Sequence, residues 1–149
     1  MCEIWRIGYT ITNSTVIDAA SAFNDLVYVC PPAPLQNGVL KGLNELPKSY
    51  YENVGKEHQV KRDKFIKALN DAGLKADYVK GTYYILADIS KLDGADDKEK
   101  VITLLEKTGI ATVPGRAFYQ DSKGINLARF CFSKKSEELD EAIERLKKL

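Results

Sequence analysis

One histidine, one tryptophan, one methionine and three cysteines in 149 residues leave little imidazole or thiolate from which to build a metal centre. Cys2, Cys30 and Cys131 are odd in number, far apart and in no C-x-x-C pair, and His58 is the sole imidazole. Neither a zinc site nor a disulfide framework can be assembled from that set, so no metal is expected, and free thiols suit a reducing compartment, with cytoplasm as the expected location. Charge of one sign is also missing. The 22 basic and 21 acidic residues leave a net charge of +1, which provides no field to attract a nucleic acid or an anionic membrane. No apolar run approaches the length of a membrane span, and the first residues, Met1-Cys2-Glu3-Ile4-Trp5-Arg6, lack the regions of a signal peptide. Internal repeats and low-complexity tracts are absent. What remains, 44% hydrophobic and 29% charged residues, describes a chain able to fold around one core.

The apolar spacing orders that chain. Residues 4–11 are apolar and aromatic and read as a strand. Thr12-Asn13-Ser14 offers cap residues for a helix whose Val16, Ile17, Ala20 and Phe23 share a face, running to residue 24. Cys30-Pro31-Pro32-Ala33-Pro34 is an extended connector, because each proline fixes its own φ and biases its predecessor away from the helical region. Pro34 can open a helix through Leu46, weakened by Gly38 and Gly42. The longest helix is expected over 50–74, stopped by Gly73. Strands follow at 76–79 and 82–89, with Lys80-Gly81 as a hairpin turn. Beyond an exposed acidic loop at 90–97 come a helix at 98–108 ending at Gly109, a strand at 110–113 stopped by Pro114-Gly115, and a strand at 127–132. Last is a helix capped by Ser136, with acids at its start and Lys147 and Lys148 at its end, as the macrodipole favours. From residue 76 onward this reads as an α+β layer with a small mixed or antiparallel sheet and helices on one face.

Several side chains invite a chemical reading. Ala128-Arg129-Phe130-Cys131 carries a guanidinium on a strand among apolar neighbours, where burial is costly unless a carboxylate or a set of acceptors meets it. A solvated face or a structural ion pair is the ordinary alternative. Lys80 and Lys123 adjoin glycines in turns and should be solvated, which argues against a desolvated amine nucleophile. His58, on a charged helix with no serine or cysteine partner evident in the sequence, reads as a helix-flank residue and not a general base. Tyr50-Tyr51 and Tyr83-Tyr84 read as packing residues. Asp93, Asp96 and Asp97 lack the alternation of a calcium loop and read as a solvated loop.

Taken together, Trp5-Arg6-Ile7-Gly8-Tyr9, Pro32-Ala33-Pro34-Leu35-Gln36, Gly81-Thr82-Tyr83-Tyr84 with Ala87-Asp88-Ile89-Ser90, the stretch from Ala111 to Tyr119, and Arg129-Phe130-Cys131-Phe132 resemble the C-terminal part of class I aminotransferases. These are fold type I pyridoxal-phosphate enzymes, and the branch it resembles includes kynurenine, glutamine and aspartate aminotransferases. The resemblance spans essentially the whole chain. It implies that residues 1–47 are the end of the large cofactor-binding domain with its connector, and that residues 48–149 are the small domain with the long linking helix. It also implies that Arg129 grips the substrate α-carboxylate through two parallel hydrogen bonds and that Arg6 contacts the cofactor phosphate. Pro114-Gly115 falls at a bend near the pocket mouth with no chemical role. The family's catalytic lysine, which bonds covalently to the cofactor, lies shortly before the Trp5-Arg6-Ile7-Gly8 segment, so these 149 residues supply no catalytic residue of that kind. Ile4 stands where the family usually has glycine. The expected partners are an amino acid and a 2-oxo acid in the intact enzyme, a complementary N-terminal half and a second copy of the chain, with no nucleic acid and no membrane. The alternative is a non-catalytic module that acts by binding or self-association.

Overall fold

The computed structural model describes residues 6–120 and 123–149. The chain divides into two compact units, one up to Tyr51 and one over Glu52–Leu149. The first contains α1 (Ser14–Val27) and α2 (Ala33–Glu45), and α3 (Lys48–Asp71) starts in it and continues into the second. The second continues with β1 (Lys75–Ala76), β2 (Tyr84–Asp88), α4 (Asp97–Thr108), β3 (Val113–Pro114), a 3-10 turn at Gly115–Phe118, β4 (Leu127–Cys131) and α5 (Ser136–Leu146).

In the first unit the caps act as their chemistry suggests. Asn13 Oδ1 accepts the Val16 N–H at 3.0 Å to open α1, and Pro34 sits in the first turn of α2, where its missing N–H costs nothing. The Tyr51 hydroxyl donates to the Gly42 carbonyl at 3.0 Å. No residue of α1 or α2 is buried within the described structure. The strand expected at 4–11 is not formed over its described part, residues 6–11. Arg6 is in the left-handed region at φ +51°, and no strand among the described residues of this unit offers a ladder partner, without which an extended segment leaves its amides unpaired. Residues 4 and 5 lie outside the described residues.

The second unit is built on a four-stranded, wholly antiparallel sheet of order β1-β2-β4-β3. Ile85 pairs with Phe130 and Ala87 with Ala128, and these four point to one face, where they are almost completely buried against Phe65 and Leu69 of α3, Leu104 of α4 and Leu139 and Leu146 of α5. The other face carries Tyr84, Leu86, Leu127, Arg129 and Cys131, all half-buried. Period-2 alternation in β2 and β4 therefore separates core from site.

Four local expectations need correction. The strand expected at 110–113 and stopped by Pro114 is β3 at Val113–Pro114, with the proline inside the strand at the sheet edge, where its missing N–H is tolerated. The link between β1 and β2 is not a tight Lys80-Gly81 hairpin: β1 ends at Ala76, β2 starts at Tyr84, and the left-handed residue between them is Thr82 at φ +67°. Its cause is competition from α3. Asn70 pairs with both the N–H and the carbonyl of Ala76, at 3.0 and 3.1 Å, and Arg62 Nη1 donates to the Val79 carbonyl at 3.0 Å, so residues 77–79 follow the helix in place of the ladder. Ser136 is the first residue of α5 and not its cap. Lys135 holds that position without a side-chain hydrogen bond. Asp97 is not part of a solvated loop: it opens α4 with 0% exposure.

Candidate functional site

Arg129 is central in β4, flanked in register by Leu86 of β2 on one side and Val113 of β3 on the other. Its guanidinium carbon lies 3.9 Å from the ring centroid of Tyr84 and 4.6 Å from that of Phe118. Each cation–π contact contributes about 0.5–2 kcal/mol depending on desolvation, and with both rings packed on the group the edge bearing its N–H donors is left for hydrogen bonding. Arg62, Arg116 and Arg145 all have carboxylate partners. Among the described residues Arg129 has none, so the structural ion pair that the sequence left open is not made within them. Asp88, on the same face, is turned to Ser90, whose hydroxyl and amide hydrogen bonds hold its carboxyl below the usual carboxylate range. Around these side chains is an opening of about 760 Å³ whose walls include Tyr84, Leu86, Phe118, Tyr119, Leu127 and Arg129.

Phe118 reaches the arginine through a braced turn. Asp97 accepts the backbone N–H of Arg116 at 2.8 Å and its Nε–H at 2.7 Å, while Arg116 Nη2 donates to Asp96 Oδ2 at 2.5 Å. Asp96 also caps α4 by accepting the Glu99 N–H at 2.9 Å. The Glu99 amide and then the Arg116 guanidinium hold the Asp96 carboxyl below its ordinary range, and Asp96 and Asp97 push the Arg116 guanidinium up. Gly115 is packed backbone to backbone on Gly124, where a Cβ on Gly115 would come within 2.3 Å of the Gly124 carbonyl oxygen. The 3-10 turn is thus fixed between the start of α4 and the approach to β4. Sequence reading assigned no role to Pro114-Gly115 and did not connect Phe118, Asp97 and Arg116. The sequence offered only an acid among several at a helix start, and it could not name a partner 19 residues away.

The other candidates fall as follows. Arg6 is exposed in the first unit, and no hydrogen bond or ion pair reaches it among the described residues. One exposed cation does not by itself make a cradle for a dianionic phosphate, so a phosphate site at Arg6 needs further donors. Lys80 and Lys123 are exposed, as expected. The lysine that is buried is Lys100, whose ammonium donates to Asn126 Oδ1 at 2.9 Å. His58 does have a serine partner: its Nδ1–H donates to the Val54 carbonyl at 2.9 Å, and Nε2 shares a hydrogen bond with the Ser133 hydroxyl at 3.0 Å. Ser133 is 75 residues away, and only the folding of β4 onto α3 reveals it. Tyr83 and Tyr84 divide between the two faces, Tyr83 packing on the core and Tyr84 on Arg129. No cluster of potential metal ligands and no helix long and apolar enough to cross a membrane occurs among the described residues.

Comparison with known proteins bears on this geometry. The kynurenine–oxoglutarate transaminase of Dictyostelium discoideum is 32% identical over 165 residues, which cover 97% of this chain and 38% of that protein. The (5-formylfuran-3-yl)methyl phosphate transaminase of Methanocaldococcus jannaschii is 29% identical, over 96% of this chain and 37% of its own. Among solved structures, N-succinyldiaminopimelate aminotransferase from Mycobacterium tuberculosis superposes with a TM-score of 0.82 at 29% identity, over 97% of this chain and 38% of that one. The chain therefore spans well under half the length of the relatives it matches. The family model for aminotransferase class I and II, whose members depend on pyridoxal phosphate, matches residues 3–146, and the chain belongs to that family.

Proposed function

We propose that this chain is the part of an aminotransferase that grips the α-carboxylate of the amino acid or 2-oxo acid, with Arg129 as the gripping residue. The observation that carries the reading is a guanidinium held between Tyr84 and Phe118 and met by no carboxylate among the described residues. A planar fork that stays charged binds a carboxylate through two parallel N–H···O bonds and fixes the orientation of the attached carbon. The apolar walls of Leu86, Leu127 and Phe118 exclude water around that contact. Pyridoxal phosphate supplies the electron sink of such a reaction when bound. In this reading residues 1–47 belong to the large domain and residues 48–149 to the small one, and Arg6 joins a phosphate site completed by other residues of the intact cytoplasmic enzyme. The 149 residues alone do not turn over, because the lysine that bonds to the cofactor is not among the residues that match the family pattern.

Two measurements test this. With added cofactor, an amino acid and 2-oxoglutarate, the chain is expected to give no amino transfer. Turnover accompanied by cofactor trapped covalently on the chain after borohydride reduction would refute the incompleteness. Titration with 2-oxoglutarate should shift the Arg129 Nε–H resonance saturably in the wild type, and the Arg129→Lys protein should bind more weakly. An unresponsive Nε–H in the wild type would refute the assignment.

A second reading is favoured by one observation. Phe23, Leu26, Val27, Leu40 and Leu43 are each more than half exposed on helices with no buried residue. Such a surface suits coverage by another polypeptide, either a complementary N-terminal part or a second copy. A clean monomer in sedimentation velocity across a wide concentration range would remove the self-association form of this reading.

A further inference from the structure

A second cleft, about 490 Å³ in volume, lies between the first half of α3 and the segment joining β1 to β2, and only Thr82 borders both it and the Arg129 face. Lys56, Arg62 and Lys80 line it, together with His58, Gln59 and a single carboxylate, Glu52. Glu52 has a partner of its own. Lys56 and Lys80 are exposed, and neither makes an ion pair or hydrogen bond among the described residues.

Behind the lysines, Arg62 is fixed and buried, 7% exposed, with the Tyr78 ring centroid 4.1 Å from its guanidinium carbon. Nε donates to Asp63 Oδ1 at 2.8 Å and Nη1 to the Val79 carbonyl at 3.0 Å. Nη2 lies 2.7 Å from the same Asp63 oxygen without good hydrogen-bond geometry. One carboxylate oxygen thus serves two nitrogens of a buried guanidinium, which leaves the group incompletely satisfied. Thr82, at the cleft's edge, has φ +67°, a conformation strained for a β-branched residue and of the kind that collects at ligand sites.

We propose that this cleft binds a small dianionic oxyanion of the phosphate-monoester class, with Lys56 and Lys80 as its counter-ions and Arg62 as a fixed positive charge at its back. Asp63 balances Arg62, so the lysines are the charges left without compensation, and two exposed ammonium groups suit a dianion better than a single carboxylate. The cleft is larger than a phosphate. The side-chain-free Gly55, where a Cβ would meet nothing within 4 Å, leaves room for the esterified group.

The test uses the full chain labelled with 15N and follows the amides of Gly81 and Thr82 during titration with inorganic phosphate and with glycerol 3-phosphate, at ionic strength held constant with chloride. Saturable shifts are expected, tighter for the ester, and weakened about tenfold or more in the Lys56→Ala/Lys80→Ala protein. That protein keeps its fold because both lysines are exposed and unpaired, as unchanged Arg129-face resonances will show. Shifts that fail to saturate, an equal response to chloride, or undiminished affinity in the double variant would overturn the proposal. Equal binding of ester and inorganic phosphate would overturn the monoester class. None of these outcomes bears on the carboxylate reading of Arg129, which uses other residues.

Discussion

Asp97→Asn is the substitution that tests whether the turn beneath Arg129 is braced as described. The two oxygens of Asp97 accept two different donors of Arg116, the backbone N–H and Nε–H. In asparagine one acceptor becomes an NH2 group, so in either amide orientation a donor faces a donor inside a site with 0% exposure. One charge-assisted hydrogen bond is lost and a buried donor is stranded, at a cost of about 2–3 kcal/mol. The Arg116 side chain is 41% exposed and recovers hydration, which keeps the cost below that of a fully buried broken pair. Asp96→Asn should behave differently. Its side chain is 34% exposed, so solvent screens the ion pair, and asparagine caps a helix as well as aspartate does. In urea, with a slope of about 1 kcal/mol/M for a unit of this size, the Asp97 variant should lose about 2–3 M of midpoint and the Asp96 variant much less. The assay follows the Ala128 and Phe130 amides, which report the second unit alone. A midpoint for Asp97→Asn no lower than that for Asp96→Asn would show that the buried carboxylate is not the brace.

The same turn yields a steric expectation. Gly115→Ala would place a methyl within 2.3 Å of the Gly124 carbonyl oxygen and 2.7 Å of Leu127 Cβ, so the turn must shift, destabilising the unit by about 1–3 kcal/mol and weakening 2-oxoglutarate binding at Arg129. Unchanged thermal unfolding in that variant would refute the close packing. Acid should weaken the fold through Asp88 and Asp96. Both carboxyls are held below their ordinary values in the folded chain, Asp88 by Ser90 and Asp96 by the Glu99 amide and Arg116. Their contribution is therefore fully present above the ordinary carboxylate value and is lost as the pH falls from about 4 through the folded value. Urea midpoints across a pH series should drop on that limb, and Asp96→Asn should flatten it.

Much of this protein was legible in its residue order. Asn13, the Pro-rich connector and Gly109 in its left-handed cap marked helix ends that the structure keeps within a few residues, because caps depend on neighbours three or four positions away. The alternation Tyr84-Ile85-Leu86-Ala87-Asp88 and Leu127-Ala128-Arg129-Phe130-Cys131 fixed which side chains face the core, because a strand's period is two. Arg129 stood out for the same local reason, as a charge in an apolar strand. Everything that depends on two distant segments meeting was decided by tertiary structure: Phe118 and Tyr84 closing on Arg129, Asp97 bracing Arg116, Ser133 meeting His58, and α3 drawing residues 77–79 away from the ladder. Hydrogen-bond donors in a sequence do not name their acceptors. Only the packing of the sheet against its helices and of the turn against α4 chooses among them.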